Sequence, residues 1–201
     1  MKYKVLDLFC GCGGISLGFE LAGCDIFGGV DVNQDAVNTF QHNFPKSQAK
    51  CIDLSTLNND DIPNIFENIH EVDIIIGGPP CQGFSAANRY KKEEEDPRNK
   101  LFFEYMKFVE IVKPKAVLIE NVKGILTSNK GYAKEKIYTI FKELGYSINS
   151  RVLSASDYGV PQRRERAFFV AIKNGTEFNF DKLKKVDKIV TVKEARGELY
   201  N

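Results

Sequence analysis

A thiol, a carboxyl and two guanidinium groups stand in this sequence where apolar runs give way to loops, the positions at which side chains meet ligands. Cys81 lies in Pro79-Pro80-Cys81-Gln82, straight after the run Val72-Asp73-Ile74-Ile75-Ile76. Each proline ring fixes φ and restricts the residue before it, so the chain is held extended ahead of the sulfur. Gly77 and Gly78 let it turn off the run, and Gly83 keeps the far side uncrowded. A thiolate there is a nucleophile; the competing reading is a structural loop cysteine. Glu120-Asn121-Val122 closes a later apolar run. A carboxyl facing a nucleobase edge from that position would bond a ring nitrogen and an amino group, unless it is simply solvated. In Pro161-Gln162-Arg163-Arg164-Glu165-Arg166 a period of two puts Gln162, Arg164 and Arg166 on one side, with Arg163 and Glu165 on the other. Two arginines on one face suit an oxyanion, a carbonyl oxygen or a phosphate. A surface salt-bridge patch around Glu165 is the alternative.

A second group of residues near the N-terminus has the character of a nucleotide site. Asp7-Leu8-Phe9-Cys10-Gly11-Cys12-Gly13-Gly14 ends one apolar run and opens a helical one. Closely spaced glycines let a ligand approach backbone N–H groups at a helix start, although a tight turn would use them as well. The spacing is not a clean G-x-G-x-x-G, because the next glycine is Gly18. Asp31 ends the next run and can accept both ribose hydroxyls of a nucleoside. Asp53, just past a third run, suits an exocyclic amine, with a turn or helix-cap role equally open. Acids at three successive strand ends favour a nucleoside cofactor without a phosphate chain.

The elements that must position these groups alternate short apolar runs with helical periodicity, the pattern of a parallel sheet with crossover helices. Strands are predicted at 4–9, 25–31, 49–52, 72–76, 116–120, 146–154 and 167–173. Helices are predicted at 15–22, closed by Gly23; from an Asn33 cap to about 43, stopped by Pro45; and at 133–144, closed by Gly145. Leu101, Phe102, Tyr105, Phe108, Val109 and Val112 recur at helical spacing before Pro114 and read as core. The last two strands have no helix between them and should pair antiparallel at one sheet edge. Residues 86–99, with the run Lys91-Lys92-Glu93-Glu94-Glu95-Asp96, read as a solvated surface segment or as a lid next to Cys81.

The 201 residues, 43% hydrophobic, suit one domain. A formal net charge of +1 argues neither for nor against an anionic partner. Five cysteines without a CxxC pair and only two histidines speak against a zinc site. No run approaches the roughly 18 apolar residues of a membrane span, and the N-terminus enters a strand directly. The expectation is a reduced, intracellular domain with no metal and no membrane.

With these residues in view, the chain resembles the DNA (cytosine-5) methyltransferase family. The resemblance rests on five motifs in the family's order, across residues 7 to 166. They are Asp7 to Gly14, Gly78-Pro79-Pro80-Cys81-Gln82-Gly83-Phe84-Ser85, Asp96-Pro97-Arg98-Asn99 with Leu101-Phe102, Glu120-Asn121-Val122, and Gln162-Arg163-Arg164-Glu165-Arg166. It implies a doubly wound, Rossmann-like α/β fold of the class I methyltransferases, using S-adenosylmethionine. By the same resemblance, Cys81 would attack C6 of a flipped-out cytosine, Glu120 would bond N3 and the 4-amino group, Arg164 would hold O2, and Arg166 would support it. The cofactor would meet Asp7, Phe9, Gly11, Gly13, Gly14, Asp31, Val32, Asp53, Leu54, Pro79 and the stretch 98–101 ending at Leu101. Asp31 replaces the family's usual glutamate and shortens the reach to ribose by one methylene. The implied partner is double-stranded DNA, in a bacterial restriction–modification setting in the cytoplasm. Thr191-Val192-Lys193-Glu194-Ala195 resembles the stretch before the family's target-recognition region, and the chain then ends. Residues 1–178 are therefore expected to be the catalytic domain, and 179–201 the lead-in to a region that a longer chain or a second polypeptide supplies. A non-catalytic assembly subunit and a transfer-RNA methyltransferase are the competing functions.

Overall fold

A computed structural model of the chain describes residues 2–80 and 100–197, with the side chains of 128 and 129 left aside. The expectations for Cys81, for the motif residues 82–85 and 96–99, and for the segment 86–99 thus lie outside the described residues. Seven strands form one sheet: β1 (Lys4–Leu8), β2 (Asp25–Asp31), β3 (Gln48–Cys51), β4 (Ile74–Gly77), β5 (Ala116–Val122), β6 (Tyr146–Ser154) and β7 (Glu165–Lys173). Their order is β3-β2-β1-β4-β5-β7-β6. All neighbours from β3 to β5 run parallel, while β7 runs antiparallel to both β5 and β6. Strand order reverses between β1 and β4, and in such sheets ligands bind outside the strands' carboxyl ends at that switch point.

Helices α1 (Gly14–Leu21), α2 (Gln34–Asn43), α3 (Ile62–Ile65), α4 (Lys100–Val112), α5 (Tyr132–Glu143) and α6 (Val192–Ala195) connect the strands. Asn33 caps α2 as expected, its side chain accepting from the N–H groups of Asp35 and Ala36. Phe102, Tyr105, Phe108 and Val109 of α4 are buried in the main core with Ile137 and Phe141 of α5, against Ile75, Val117, Ile119 and Phe169 of the sheet. Each such side chain contributes roughly 1.5–3 kcal/mol on burial. On the opposite face Phe40 of α2 and Phe44, just past its end, pack with Cys10. Alternate residues of β5 and β7 face that second side, and there Leu118, Phe168, Val170 and Ile172 stay partly exposed.

Two boundaries differ from expectation in a way that builds the site. β5 continues two residues beyond 120, and β7 starts two residues before 167, because their ladder extends through Asn121↔Ala167 and Val122↔Arg166. β4 starts later than 72, since the Asp73 carboxylate is engaged by the Lys4 N–H and by Lys115. It ends on Gly77, where an added Cβ would stand 2.1 Å from the Leu8 carbonyl oxygen. Only glycine lets β4 lie this close to the end of β1. The short helix α3 has too few residues to carry a period and was not expected from sequence.

Candidate active site

Beyond Leu8 the chain bends at Phe9, whose φ of 64° is uncommon for a bulky residue and marks backbone strain. Gly11 (φ +53°) and Gly13 (φ +90°) continue the bend in the left-handed region that glycine tolerates. At Gly13 an added Cβ would stand 2.3 Å from the Phe44 ring, so the loop is pressed onto α2. At Gly11 and Gly14 the same position is open space, leaving the backbone accessible. The loop is tied down by Cys10 N–H to the Val30 carbonyl at 3.0 Å. Asn43 also donates to the Cys12 carbonyl at 2.8 Å.

Asp31, at the end of β2, accepts the N–H of Gly11 at 2.9 Å and that of Asn33 at 3.0 Å. It borders a cavity of about 390 Å³ over the ends of β1, β2 and β3. Phe9, Val30, Ile52, Leu54, Pro80 and Leu101 form its apolar walls. Val32 stands 67% exposed at its edge. Asp53 lines it too, while its carboxylate caps a 3₁₀ turn by accepting the Ser55 N–H at 2.9 Å. That bonding to Ser55 holds the Asp53 carboxyl below its ordinary value. The two readings of Asp53 are compatible, since one carboxylate oxygen serves the turn. Apolar walls flanked by carboxylates suit a flat heterocycle and a ribose, together with a cationic rather than a polyphosphate appendage. Pro80, from the Pro-Pro-Cys-Gln motif, and Lys100, from the stretch 98–101, line the cavity too, as do Val30, Ile52 and Ser55, which were not singled out from sequence. They lie beside the motif residues, and no local pattern distinguishes them.

Asp7 is not on this cavity. It is 1% exposed behind the loop, and its Oδ2 accepts the Ser16 hydroxyl at 2.6 Å. Its Oδ1 is buried with no hydrogen-bond partner among the described residues. Burial pushes the carboxyl up to about 7.

On the other side of the switch point, the β5–β7 ladder brings Glu120 under two arginines. Glu120 Oε1 receives Arg164 Nη2 at 3.4 Å and Arg166 Nε at 3.2 Å. Glu120 Oε2 takes no hydrogen bond among the described residues, and a Cβ on Gly78 would lie 3.5 Å from it. The chain leaving β4 therefore passes directly over this carboxyl. Glu165 points the other way, to Lys123 at 2.6 Å. Asn121, 8% exposed, donates through Nδ2 to the Pro79 carbonyl at 2.8 Å. This bond ties the Pro-Pro segment that leads into Cys81 to the strand bearing Glu120. Asn121 was legible only as a neighbour of Glu120; its role depends on a contact across 42 residues.

Asn121→Ala would remove this bond to the Pro79 carbonyl, at a cost of about 0.5–1.5 kcal/mol in stability. Misplacing a reacting group by about 1 Å costs on the order of 10²-fold in rate. For the methyl transfer that the resemblance implies, the expected result is a loss of roughly 10- to 100-fold in kcat with cofactor affinity unchanged, checked by single-turnover methylation beside calorimetric titration.

A family model described as C-5 cytosine-specific DNA methylase matches residues 3–199. The chain is 41% identical over 183 residues to type II methyltransferase M1.HphI of Haemophilus parahaemolyticus, covering 90% of this chain and 48% of that protein. It is 38% identical over 190 residues to M.DdeI of Desulfomicrobium norvegicum, covering 93% and 45% respectively. For M.AquIA of Picosynechococcus the identity is 36% over 189 residues, and the match spans 90% of this chain and 76% of that protein. Among solved structures, a prophage-encoded DNA modification methyltransferase of E. coli superposes with a TM-score of 0.81 at 37% identity, over 97% of this chain and 54% of that one. The S. pombe Dnmt2 methyltransferase gives 0.73 at 28% identity, over 93% and 57%. The chain spans about half the length of the first two of these relatives.

Proposed function

The chain belongs to the C-5 cytosine-specific DNA methylase family, and from that premise we propose that it carries the catalytic half of a type II restriction–modification methyltransferase acting on cytosine in double-stranded DNA. The observation that carries this reading is the convergence at one switch point of the Phe9–Asp31–Asp53 cavity and the Glu120 carboxyl under Arg164 and Arg166. The loop leading to Cys81 is bonded between the two. Phe9, Asp31, Val32, Asp53, Leu54 and Leu101, with the open backbone at Gly11 and Gly14, would hold S-adenosylmethionine. Gly13 would shape that loop, and Pro79 would steer the adjoining chain past the base. When bound, the cofactor supplies an electrophilic methyl group.

The protein's residues do the rest. Cys81, as thiolate, adds to C6 of the cytosine and makes C5 nucleophilic enough to take the methyl group. Glu120, through the Oε2 that takes no hydrogen bond among the described residues, bonds the N3–amino edge and favours protonation at N3 as charge develops on the ring. Arg164 turns from Glu120 toward the cytosine O2, and Arg166 keeps the carboxyl oriented. Loss of the C5 proton and departure of Cys81 restore the aromatic ring. In a duplex these atoms are reachable only when the base leaves the stack, at a cost of a few kcal/mol.

Residues 1–178 act in this reading as the catalytic domain, and 179–201 lead to a target-recognition region supplied by a longer chain or a second polypeptide. Two observations support it. M1.HphI and M.DdeI run to about twice the matched length. Leu118, Phe168, Val170 and Ile172 also form a partly exposed apolar face continuous with Glu120, which a further element could cover. No helix among the described residues is long and apolar enough to cross a membrane, and we assign the work to the cytoplasm, where the DNA is.

The test incubates residues 1–201 with S-adenosylmethionine and duplexes bearing 5-fluorocytosine, alone and with the polypeptide encoded immediately downstream. Fluorine at C5 blocks the last elimination, so a trapped adduct reports attack by Cys81. The adduct is expected only with the second polypeptide. Robust methylation by residues 1–201 alone would overturn the need for another lobe, and no adduct in either arm would overturn the covalent mechanism.

A further inference from the structure

Asp7 is a buried acid without a cation. Its carboxyl is 1% exposed on β1, directly behind the loop that begins at Phe9. One oxygen is held by the hydroxyl of Ser16 on α1, while the other has no partner among the described residues. The titratable groups around it are all acidic: the Asp31 carboxyl from β2, the Cys10 thiol from the loop and the Tyr105 phenol from α4. Opposite it on β4 stands Ile76. No lysine, arginine or histidine pairs with it among the described residues. An ionised carboxyl in such a place is costly, because burial strips its hydration and nothing replaces it. Its neutral form leaves only a hydroxyl unmatched.

The cavity on the other side of the loop is read above as a site for S-adenosylmethionine, a ligand that brings a sulfonium and an ammonium. Resting on that reading, we propose that Asp7 is a neutral carboxylic acid in the cofactor-free chain and ionises when the cationic cofactor binds, so that binding releases a proton. The proton leaves the Asp7 carboxyl for solvent, the carboxylate remains, and no bond to the cofactor is made. The buried negative charge that forms is the counter-ion which β1 otherwise lacks, placed one loop behind the ligand. Asp7 is thus a positioning residue acting by its field, distinct from Asp31 and Asp53 on the cavity itself. Its ordinary value of 3.8 is raised to about 7, which sets the window. Within that window each cofactor bound releases up to about one proton, and affinity rises by up to about tenfold per pH unit. Above it the dependence flattens.

The sign for stability is the opposite. The folded chain keeps this proton to a higher pH than the unfolded chain, so Asp7 progressively destabilises the cofactor-free fold as pH rises from 3.8 to about 7. Asp7→Asn removes that trend.

The first experiment follows the Asp carboxyl carbons of the ligand-free chain by NMR, assigning Asp7 by its loss in Asp7→Asn. A midpoint near 7 supports the proposal, and one below 5 overturns it. The second titrates S-adenosylmethionine calorimetrically at pH 6 in buffers of different ionisation enthalpy. The expected result is release of about one proton in the wild type and none in Asp7→Asn. Binding with no proton exchange overturns the linkage alone. No binding at any pH overturns the cofactor reading and the linkage with it. Ser16→Ala keeps the proposal testable if Asp7→Asn fails to fold. Losing a bond that favours the ionised form, this variant should move both midpoints to higher pH, and unchanged midpoints would count against Asp7 as the titrating group.

Discussion

Cys81→Ala is expected to abolish methyl transfer in the completed enzyme, by on the order of 10⁴-fold or more, while S-adenosylmethionine still binds. That factor corresponds to about 5 kcal/mol of barrier. The size follows from the chemistry of the base. C5 of cytosine is a poor nucleophile, and it gains reactivity only when a group adds at C6 and breaks the aromatic system. Cys81 is one peptide beyond Pro80, a wall of the cofactor cavity, and two beyond Pro79, whose carbonyl is held by the neighbour of Glu120. Cys81 thus follows in sequence directly after the residues proposed to adjoin the methyl donor and the base. Serine should fail almost as completely, because a hydroxyl supplies no comparable anion near neutral pH. The measurement is transfer of labelled methyl to duplex DNA beside calorimetric titration of the cofactor. Turnover within tenfold of wild type in either variant would sink covalent catalysis by this residue.

What sequence made legible here follows the range over which each feature is determined. The alternation of apolar runs and helical periods is local, so the elements could be read almost one for one, down to the Asn33 cap of α2. The insertion of β7 between β5 and β6 is not local. It depends on pairing across the sheet, and so did the extra length of β5 and β7 that carries Arg164 and Arg166 onto Glu120. The motif residues around the cavity were visible because glycines and acids at strand ends are unusual. Part of its apolar lining, Val30 and Ile52, was not, because the same residue types fill any core. Asp7 looked like one more acid at a strand end. Only the fold shows it turned inward to Ser16, since a strand's alternation decides which face a side chain takes. Asn121 shows the same limit, its bond to Pro79 being invisible until β4 and β5 are placed side by side.

Glu120→Gln should lower kcat by about 10²- to 10³-fold with little change in cofactor affinity, within the range of positioned acid–base catalysis. The amide keeps the shape of the carboxyl but loses its charge, and it offers one acceptor where the carboxylate offers two. Oε1 already serves Arg164 and Arg166, leaving Oε2 for the base. A glutamine that keeps its carbonyl toward the arginines turns its NH₂ toward the base, donor against the amino group. One that reverses puts that NH₂ against two guanidinium groups. Either orientation fails one partner. The stability change should stay near or below about 1 kcal/mol, because Arg164 is largely exposed and such pairs contribute little in water. Glu120→Ala would remove the Arg anchor as well and should raise the apparent Kd for DNA in addition to lowering kcat. The split between the two variants decides the role. If glutamine weakened DNA binding alone and left single-turnover chemistry intact, Glu120 would be a contact that holds the flipped base. A loss confined to the chemical step means that the charge on Oε2 stabilises the ring as Cys81 adds to it.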